Sequence, residues 1–305
     1  MDWTVSSGKT AIPVYGSRKG EDLVTLIHNV FTLPFGRGLR RRFSSENYAF
    51  LKFLAWLFDI YLPNRVCCWT TERKPRLRGF GGHNGASHLL KQIAGVNLLA
   101  TTRMCRVMTW YGSDKGGYFH NYTVVYESLF KRLRTQPLRI FELGLGYNDL
   151  MVRSDTRTAG RPGASLRAWR DLFPNALIYG ADIDRTVLFQ EKNIKTFYCD
   201  QLNPDAIKEL WGQPELSGGA DIIIEDGLHS FDANVSFLRG SLDRVRPNGY
   251  YIIEDIEGAL TGDWLELLES TYAMQYPMYE FVLASLPHPK NKTDNNMLII
   301  YRPLE

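Results

Sequence analysis

The distribution of apolar and polar residues divides the chain into two parts that meet near residue 105. From about Thr109 onward, short β-rich apolar runs alternate with segments of helical spacing, such as Ser165–Phe173 and Ala233–Val245. Five of these runs predict strands: Leu138–Leu143, Leu177–Asp182, Ile194–Cys199, Asp221–Glu225 and Tyr250–Glu254. Strands that alternate with helices are typical of a parallel sheet with helices on both faces. The pattern therefore predicts an α/β domain over residues 106–305.

The end of the chain departs from this alternation. Two further predicted strands, Phe281–Ser285 and Met297–Tyr301, are separated only by a polar loop, Leu286–Asn296. A loop of this kind joins antiparallel neighbours, so the two strands predict a hairpin that closes the sheet. We therefore expect a Rossmann-like, mostly parallel seven-stranded sheet with a C-terminal antiparallel hairpin.

Residues 1–105 have a weaker pattern, in which one helix is predicted at Ser45–Tyr61. This region carries fifteen Lys or Arg against six Asp or Glu, whereas the remaining residues carry 21 against 27. The change of charge supports a separate, basic, mainly helical N-terminal region. Three roles stay open for it: covering the functional site, self-association into a homo-oligomer, and binding of an acidic glycan.

Composition and cysteine spacing exclude several classes of protein. Cys67 and Cys68 are adjacent, and no CxxC pair is present, so we expect reduced thiols in a cytoplasmic protein. The N terminus lacks the apolar segment of a signal peptide, and no apolar run is long enough for a transmembrane segment. The run Arg40-Arg41-Arg42 has no interleaved aromatic residues, so we expect no nucleic-acid partner.

Candidate ligand-binding residues follow the first three predicted strands. Gly144 and Gly146 follow the first strand, where glycines let the backbone approach a ligand closely. Asp182 ends the second strand, where a carboxylate can bind ribose hydroxyls or, alternatively, only cap the next helix. Asp200 and Gln201 end the third, where an acid and an amide can bind adenine. A dinucleotide fingerprint would have a third glycine three residues after Gly146, but the chain has an aspartate there, so a ligand without phosphates is favoured.

Acidic residues follow the fourth and fifth predicted strands. Asp226 follows the fourth strand, and Glu254 and Asp255 end the fifth. We expect these strands to be neighbours about 5 Å apart, and clustered carboxylates cannot all stay ionised without a cation. Oxygen ligands favour Mg²⁺ or a similar hard divalent ion. His229 is then well placed as a general base, the alternatives being a structural histidine and a solvated acidic loop.

Several motifs in the second part of the chain resemble those of one enzyme group. They are GSDKG (Gly112–Gly116), HNYT (His120–Thr123), GASLRAW (Gly163–Trp169), GADID at the second strand end, Asp200-Gln201, EDGLH at the fourth and IIED at the fifth. As an ordered set between about Thr109 and Tyr301, they are similar to the macrocin/mycinamicin type of sugar O-methyltransferases. Five parallel strands followed by a hairpin are also the layout of class I methyltransferases.

This resemblance implies an O-methyltransferase that depends on S-adenosylmethionine and Mg²⁺. It implies a small-molecule or saccharide acceptor, namely a hydroxyl of a sugar or glycosylated metabolite in natural product or polysaccharide biosynthesis. It assigns His229 as the catalytic base and Asp226, Glu254 and Asp255 as metal ligands. The residues expected at the cofactor, from the resemblance or from the strand ends, are Gly112, Ser113, Asp114, Lys115, Glu142, Gly144, Gly146, Ser165, Asp182, Asp200 and Gln201.

The chain departs from the group in two places. Leu228 stands where the usual Asp-Asp-Gly-Ser-His motif has serine, and a long arginine-containing segment separates Gly146 from Gly163, which we interpret as a lid over the substrate. Two other functions stay open: a catalytically inactive module that binds S-adenosylmethionine, and a nicotinamide-dependent oxidoreductase on the same fold. The identity of the acceptor is also left open.

Overall fold

The structure is a computed structural model, and it describes residues 73–82, 85–116, 119–146 and 162–304. The chain divides into two compact units, Met1–Asp59 and Ile60–Glu305, and all the described residues lie in the second. The helix expected at Ser45–Tyr61, the arginine run at residues 40–42, Cys67 and Cys68 lie outside the described residues. The segment interpreted as a lid also lies outside them, apart from Pro162.

The described residues contain nine strands in one mixed sheet. In chain order they are β1 (Arg76–Gly81), β2 (Arg139–Leu143), β3 (Leu177–Asp182), β4 (Gln190–Glu191), β5 (Ile194–Tyr198), β6 (Ala220–Glu225), β7 (Val245–Ile253), β8 (Glu280–Ser285) and β9 (Asn296–Arg302). Their order across the sheet is β1-β8-β9-β7-β6-β2-β3-β5-β4. The pairings among β5, β3, β2, β6 and β7 are parallel, and the other pairings are antiparallel.

All five predicted parallel strands and the terminal hairpin are present, but the prediction of a mostly parallel seven-stranded sheet is wrong. Two edge strands, β1 and β4, extend it, and four of the eight pairings are antiparallel. The sequence of β1, RLRGFG, has two glycines and lacks the apolar run of a buried strand, and β4 has only two residues. Because β1 pairs with β8, the sheet-containing unit begins upstream of the boundary predicted near residue 105.

Eight α-helices are present in the described part of the chain. They are α1 (Ser87–Ile93), α2 (Arg103–Tyr111), α3 (Tyr122–Phe130), α4 (Ala164–Leu172), α5 (Pro204–Trp211), α6 (Phe231–Ser241), α7 (Thr261–Leu267) and α8 (Ala273–Gln275). Thr102, Asn203 and Ser230 cap α2, α5 and α6 by accepting backbone N–H groups of the first helical turn. Within the described residues, no helix combines the length and the apolar character needed to cross a membrane.

The central strands are buried on both faces of the sheet. Ile222 and Ile224 of β6 pack into an apolar cluster with α1 to α4, whereas Ile223 packs into a second cluster with α5 to α7. Adjacent residues of a strand point to opposite faces, so helices cover both sides, as the sequence pattern predicts. Buried polar groups need hydrogen-bonding partners, and the main place for them is the edge where the parallel strands end.

Gly144 determines how closely two of these strand ends approach. Its φ angle is +89°, a conformation that glycine adopts without the steric cost of a side chain. A Cβ atom at this position would clash with the backbone carbonyl of Asp226, and the Asp226 N–H donates to the Leu143 carbonyl at 3.0 Å. The segments that follow β2 and β6 are therefore packed backbone against backbone.

We predict that Gly144→Ala lowers the free energy of unfolding by roughly 3 kcal/mol or more. Gly146→Ala is the matched control, because Gly146 also has a positive φ, +80°, but a Cβ atom there would meet none of the described residues within 4 Å. We expect the control to lose only about 1–2 kcal/mol. Urea unfolding followed by tryptophan fluorescence measures both values, and equal losses would contradict the close approach of Gly144 to Asp226.

Candidate active site at the strand ends

Three carboxylates from three neighbouring strands surround one buried ammonium. Glu142 lies on β2, and Asp226 and Glu254 directly follow β6 and β7. The Lys115 side chain is only 2% exposed, and its Nζ donates to Asp226 Oδ2 at 2.5 Å and to Glu254 Oε2. Glu142 Oε1 lies 3.4 Å from the same nitrogen. Burial lowers the pKa of Lys115, but the charges of these carboxylates outweigh it and raise the pKa well above its usual value, so Lys115 is a cation.

Glu142 and Glu254 form, with Lys115 and Tyr126, what we call the inner group. The Tyr126 hydroxyl donates to Glu254 Oε1, so both oxygens of Glu254 have a partner. Glu142 accepts from the Ser165 hydroxyl at 2.6 Å and from the Trp169 indole at 2.6 Å. Glu142 is fully buried and Glu254 is 1% exposed. The inner group is therefore closed off from solvent and held by hydrogen bonds within the protein.

Asp226, Asp255 and His229 form the outer group. Among the described residues they make up a set of potential metal ligands whose donor atoms lie within 4.8 Å of one another. His229 Nε2 is 3.1 Å from Asp226 Oδ1, and His229 Nδ1 is 3.4 Å from Asp255 Oδ2. His229 and Asp255 have φ angles of +60° and +53°, which are uncommon outside glycine and occur at sites where function requires a fixed geometry.

Burial and mutual repulsion act together on the acids at this edge. Burial, followed by the charges of neighbouring carboxylates, raises the pKa of Glu254 and of Asp255. Burial would also raise the pKa of Asp226, but the Lys115 charge and His229 outweigh it and lower that pKa. Burial lowers the pKa of His229, but its hydrogen bond to Asp226 and the nearby acids raise it to about 10. Carboxyl groups that disfavour one another's ionised forms in this way would be stabilised by a further cation.

A divalent cation fits the outer group, although not the complete ligand set that the sequence predicts. Asp226 and Asp255 offer the carboxylate oxygens that Mg²⁺ prefers, and the mutual repulsion of the acids favours a further cation. Glu254, the third predicted ligand, is not a member of this set, and its two oxygens are bound by Lys115 and Tyr126. His229, expected as a base, belongs to the same set of potential donor atoms, and its role as the base stays a prediction.

Three further side chains, which the sequence does not identify as site residues, contact the acids. His120 Nδ1 lies 3.3 Å from Asp255 Oδ1, and its ring stacks on Tyr122 with centroids 4.7 Å apart. The Tyr122 hydroxyl donates to Asp255 Oδ1 at 2.7 Å, while Tyr126 binds Glu254. The HNYT motif signals this segment, but the side chains that reach the acids depend on how α3 packs against β7.

The GSDK turn reaches the acidic cluster from the end of α2. Gly112 ends α2 with a φ of +88°, and the Ser113 hydroxyl accepts the Lys115 N–H at 3.4 Å. Asp114 is partly exposed, and its charge contributes to the raised pKa of Asp255. The turn therefore leaves the first three predicted cofactor residues partly exposed and buries the fourth, Lys115.

Asp182 links the ends of β2 and β3. Its Oδ2 accepts the Leu145 N–H at 2.8 Å, and its Oδ1 accepts the Asp184 N–H at 2.9 Å. Asp184 in turn caps the short 3₁₀ turn at Arg185–Val187. Asp182 thus positions the segment after Gly144, and each carboxylate oxygen still has a second lone pair for a ligand hydroxyl.

Gln201 holds a neighbouring loop in place. Its Nε2 donates to Glu225 Oε1 at 2.6 Å, and its Oε1 accepts the Leu228 N–H at 2.8 Å. Both ends of this buried amide therefore have protein partners, which reduces its capacity to bind adenine. The side chain of the adjacent Asp200 is partly exposed and accepts the Leu202 N–H at 3.0 Å. Of the two residues, Asp200 is the one available to a ligand.

The two cysteines that the structure describes are Cys105 and Cys199, and both are free thiols. Burial raises the pKa of Cys199 to about 12, so this thiol stays protonated although it lies at the end of β5. Neither cysteine belongs to the inner or the outer group. The described thiols are thus separate from the acidic site.

No family model matches the chain, but curated proteins of known activity do. It is 34% identical over 148 residues to 8-demethyl-8-alpha-L-rhamnosyl tetracenomycin-C 2'-O-methyltransferase of Streptomyces olivaceus, covering 48% of this chain and 36% of that protein. It is 30% identical over 180 residues to demethylmacrocin O-methyltransferase of Streptomyces fradiae, covering 57% and 43%. It is 33% identical over 147 residues to mycinamicin VI 2''-O-methyltransferase of Micromonospora griseorubida, covering 48% and 34%. The chain thus spans less than half the length of these relatives.

The solved structures to which the chain is similar also include a methyltransferase. The chain is similar to the MycE methyltransferase from the mycinamycin biosynthetic pathway, in complex with Mg and SAH. The TM-score is 0.52, the sequence identity is 25%, and the similarity covers 67% of this chain and 56% of that one. The resemblance indicated by the sequence motifs is confirmed by these comparisons: the chain is similar to the macrocin, mycinamicin and tetracenomycin types of sugar O-methyltransferase, and it has a Rossmann-like methyltransferase fold.

Proposed function

We propose that this chain transfers a methyl group from S-adenosylmethionine to a hydroxyl of a sugar or glycosylated metabolite, with the help of a divalent cation. One observation carries this proposal: the outer group lies at the same edge of the sheet as the GSDK turn and the ends of β2, β3 and β5. A methyl donor bound along those strand ends would lie beside two carboxylates and a histidine. Open α/β sheets bind their ligands at this edge.

Several residues support S-adenosylmethionine as the donor. Gly144 and Gly146 adopt positive φ angles directly after β2, so that the backbone can approach a ligand. Asp182 and Asp200 offer carboxylates at the ends of β3 and β5 for the ribose and adenine. MycE, to which the chain is similar, is in complex with Mg and SAH. In contrast, Glu142 and Ser165 bind each other, so their contribution to the donor site is to shape its wall.

His229 is the residue that would accept the hydroxyl proton. Methyl transfer forms a bond from the acceptor oxygen to the methyl carbon, breaks the carbon–sulfur bond and releases one proton. A bound divalent cation would supply Lewis acidity, which lowers the pKa of a hydroxyl. If Asp226 and Asp255 held that cation, their charges would act less on the imidazole, and His229 could act as general base.

The surroundings of the outer group would hold the reacting groups in a fixed geometry. Tyr122 and His120 contact Asp255 from one side, and Lys115 contacts Asp226 from another. Each carboxylate therefore has a fixed partner and a remaining oxygen directed to His229. Enzymes of this kind gain rate mainly by holding acceptor and donor in a reactive orientation.

The acceptor that fits best is a saccharide attached to an apolar scaffold. The named relatives methylate glycosylated natural products such as rhamnosyl tetracenomycin-C and demethylmacrocin. In this chain Leu228 lies between Asp226 and His229 and is 59% exposed, with its backbone N–H held by Gln201. An exposed leucine at this point would contact an apolar part of the acceptor. Neither the inactive-module alternative nor the oxidoreductase alternative is favoured by a specific observation.

The remaining expectations about the whole protein are also proposals. We propose that it acts in the cytoplasm on small molecules and that nucleic acid is not its substrate. Self-association and the role of residues 1–72 lie outside what the described residues address. The region between Gly146 and Gly163 keeps its proposed role as a lid over the acceptor.

We predict that His229→Ala lowers the rate of methyl transfer by about 10²-fold to 10⁴-fold, because the general base is lost. Binding of S-adenosylmethionine, measured by calorimetry, should change little. Turnover is measured as release of S-adenosylhomocysteine with a panel of rhamnosylated and other glycosylated natural products. His88→Ala, on α1, is the matched control and should keep wild-type activity. Full turnover by His229→Ala would reject its role as the base.

We also predict that Asp255→Asn weakens Mg²⁺ binding by about 10-fold to 100-fold or more, because a charged ligand of the outer group is lost. Methyl transfer should fall with it, and EDTA should stop turnover of the wild type until Mg²⁺ is restored. Asp263→Asn, an exposed carboxylate on α7, serves as the control. If chelation left the rate unchanged, the divalent cation would have no part in the reaction.

A further inference from the structure

Lys115 occupies a position that a divalent cation would also favour. Its ammonium contacts Asp226 Oδ2 and Glu254 Oε2, two carboxylates from neighbouring strand ends. The resemblance to known enzymes assigns both of these acids to the metal and assigns Lys115 to the methyl donor. The structure instead places the lysine between the two acids, where it is 2% exposed.

The two kinds of cation cannot both make these contacts. Tyr126 binds the other oxygen of Glu254, so Lys115 holds the one through which Glu254 would reach a metal. A divalent ion between Asp226 and Glu254 would lie within a few ångströms of the ammonium, where like charges in a poorly solvated interior repel strongly. Only one of them can satisfy these oxygens at a time.

Glu142 offers Lys115 an alternative partner. Its Oε1 lies 3.4 Å from the ammonium, which is longer than a charge-assisted hydrogen bond, so the lysine can move closer. Glu142 is anchored by Ser165 and Trp169 and will not move toward the metal itself. A shift of the ammonium toward Glu142 would release Asp226 and Glu254 without leaving the lysine unpaired.

We propose that Lys115 is a positioning residue that competes with the divalent cation: it neutralises Asp226 and Glu254 until the cation binds and then shifts to Glu142. This inference rests on the proposed metal-dependent function. It explains how Glu254 can be a metal ligand, as the sequence predicts, although the lysine now holds it. Lys115 would also supply the counter-charge that the buried carboxylates need when no divalent cation is bound.

The test compares Mg²⁺ and Mn²⁺ affinities by calorimetry, using the full chain without methyl donor. Lys115→Met removes the competing charge and should bind the cation about 10-fold to 100-fold more tightly. Damage to the fold would not tighten binding, so this direction is specific to the proposal. Lys195→Met is the matched control, since Lys195 pairs with Glu215 away from the site, and its affinity should equal that of the wild type.

A second variant separates competition from a simple change in net charge. Lys115→Met combined with Glu142→Gln removes one positive and one negative group, so the net charge of the cluster stays that of the wild type. The repulsion between the buried acids is then weaker than in the single variant. Competition for the same oxygens predicts that the double variant still binds Mg²⁺ more tightly than the wild type. An affinity equal to or below that of the wild type in the double variant overturns the proposal.

The outcomes distinguish this inference from the proposed function. Binding by the wild type, with no gain in either Lys115 variant, overturns the competition and leaves the metal-dependent function in place. No binding by the wild type or by any variant overturns both. Binding that appears only when Lys115 is removed overturns the exchange, because the lysine would then exclude the cation from the natural protein.

Discussion

The structure depends on how charge is balanced where three neighbouring strands end. Glu142, Asp226, Glu254 and Asp255 meet there, and one buried ammonium, from Lys115, lies among them. Burial makes each uncompensated carboxylate costly. The acids therefore have close polar partners, namely two tyrosines, the indole of a tryptophan and two histidines. The same cost makes this edge attractive to a divalent cation.

The fold explains why these polar groups are concentrated in one place. Apolar clusters cover both faces of the sheet, which leaves the strand ends as the place for buried charge. The close packing of Gly144 against the backbone of Asp226 brings the segment that follows β2 close to the acids that follow β6 and β7. The inner group is then closed by hydrogen bonds within the protein, whereas the outer group remains partly open to ligands.

Much of the fold could be predicted from the sequence, because the buried parallel strands have continuous apolar runs and the acids follow them directly. The edge strands could not: β4 has two residues, and β1 carries glycine and arginine in place of an apolar run. The convergence of Asp226 and Asp255 follows from the neighbouring positions of β6 and β7, and it was predictable for that reason. The position of Lys115 was not, because it lies 111 residues before Asp226 and reaches it only through the packing of α2 and α3.

The direct test of the site is the position of a bound cation. A crystal of the chain grown with Mn²⁺ and S-adenosylhomocysteine, measured at the manganese absorption edge, locates the ion by anomalous scattering. Metal-dependent methyl transfer at the strand ends requires an anomalous peak in direct contact with carboxylate oxygens of Asp226 and Asp255. A crystal with the nucleoside bound and no peak there, or with the ion only at surface carboxylates, would contradict it.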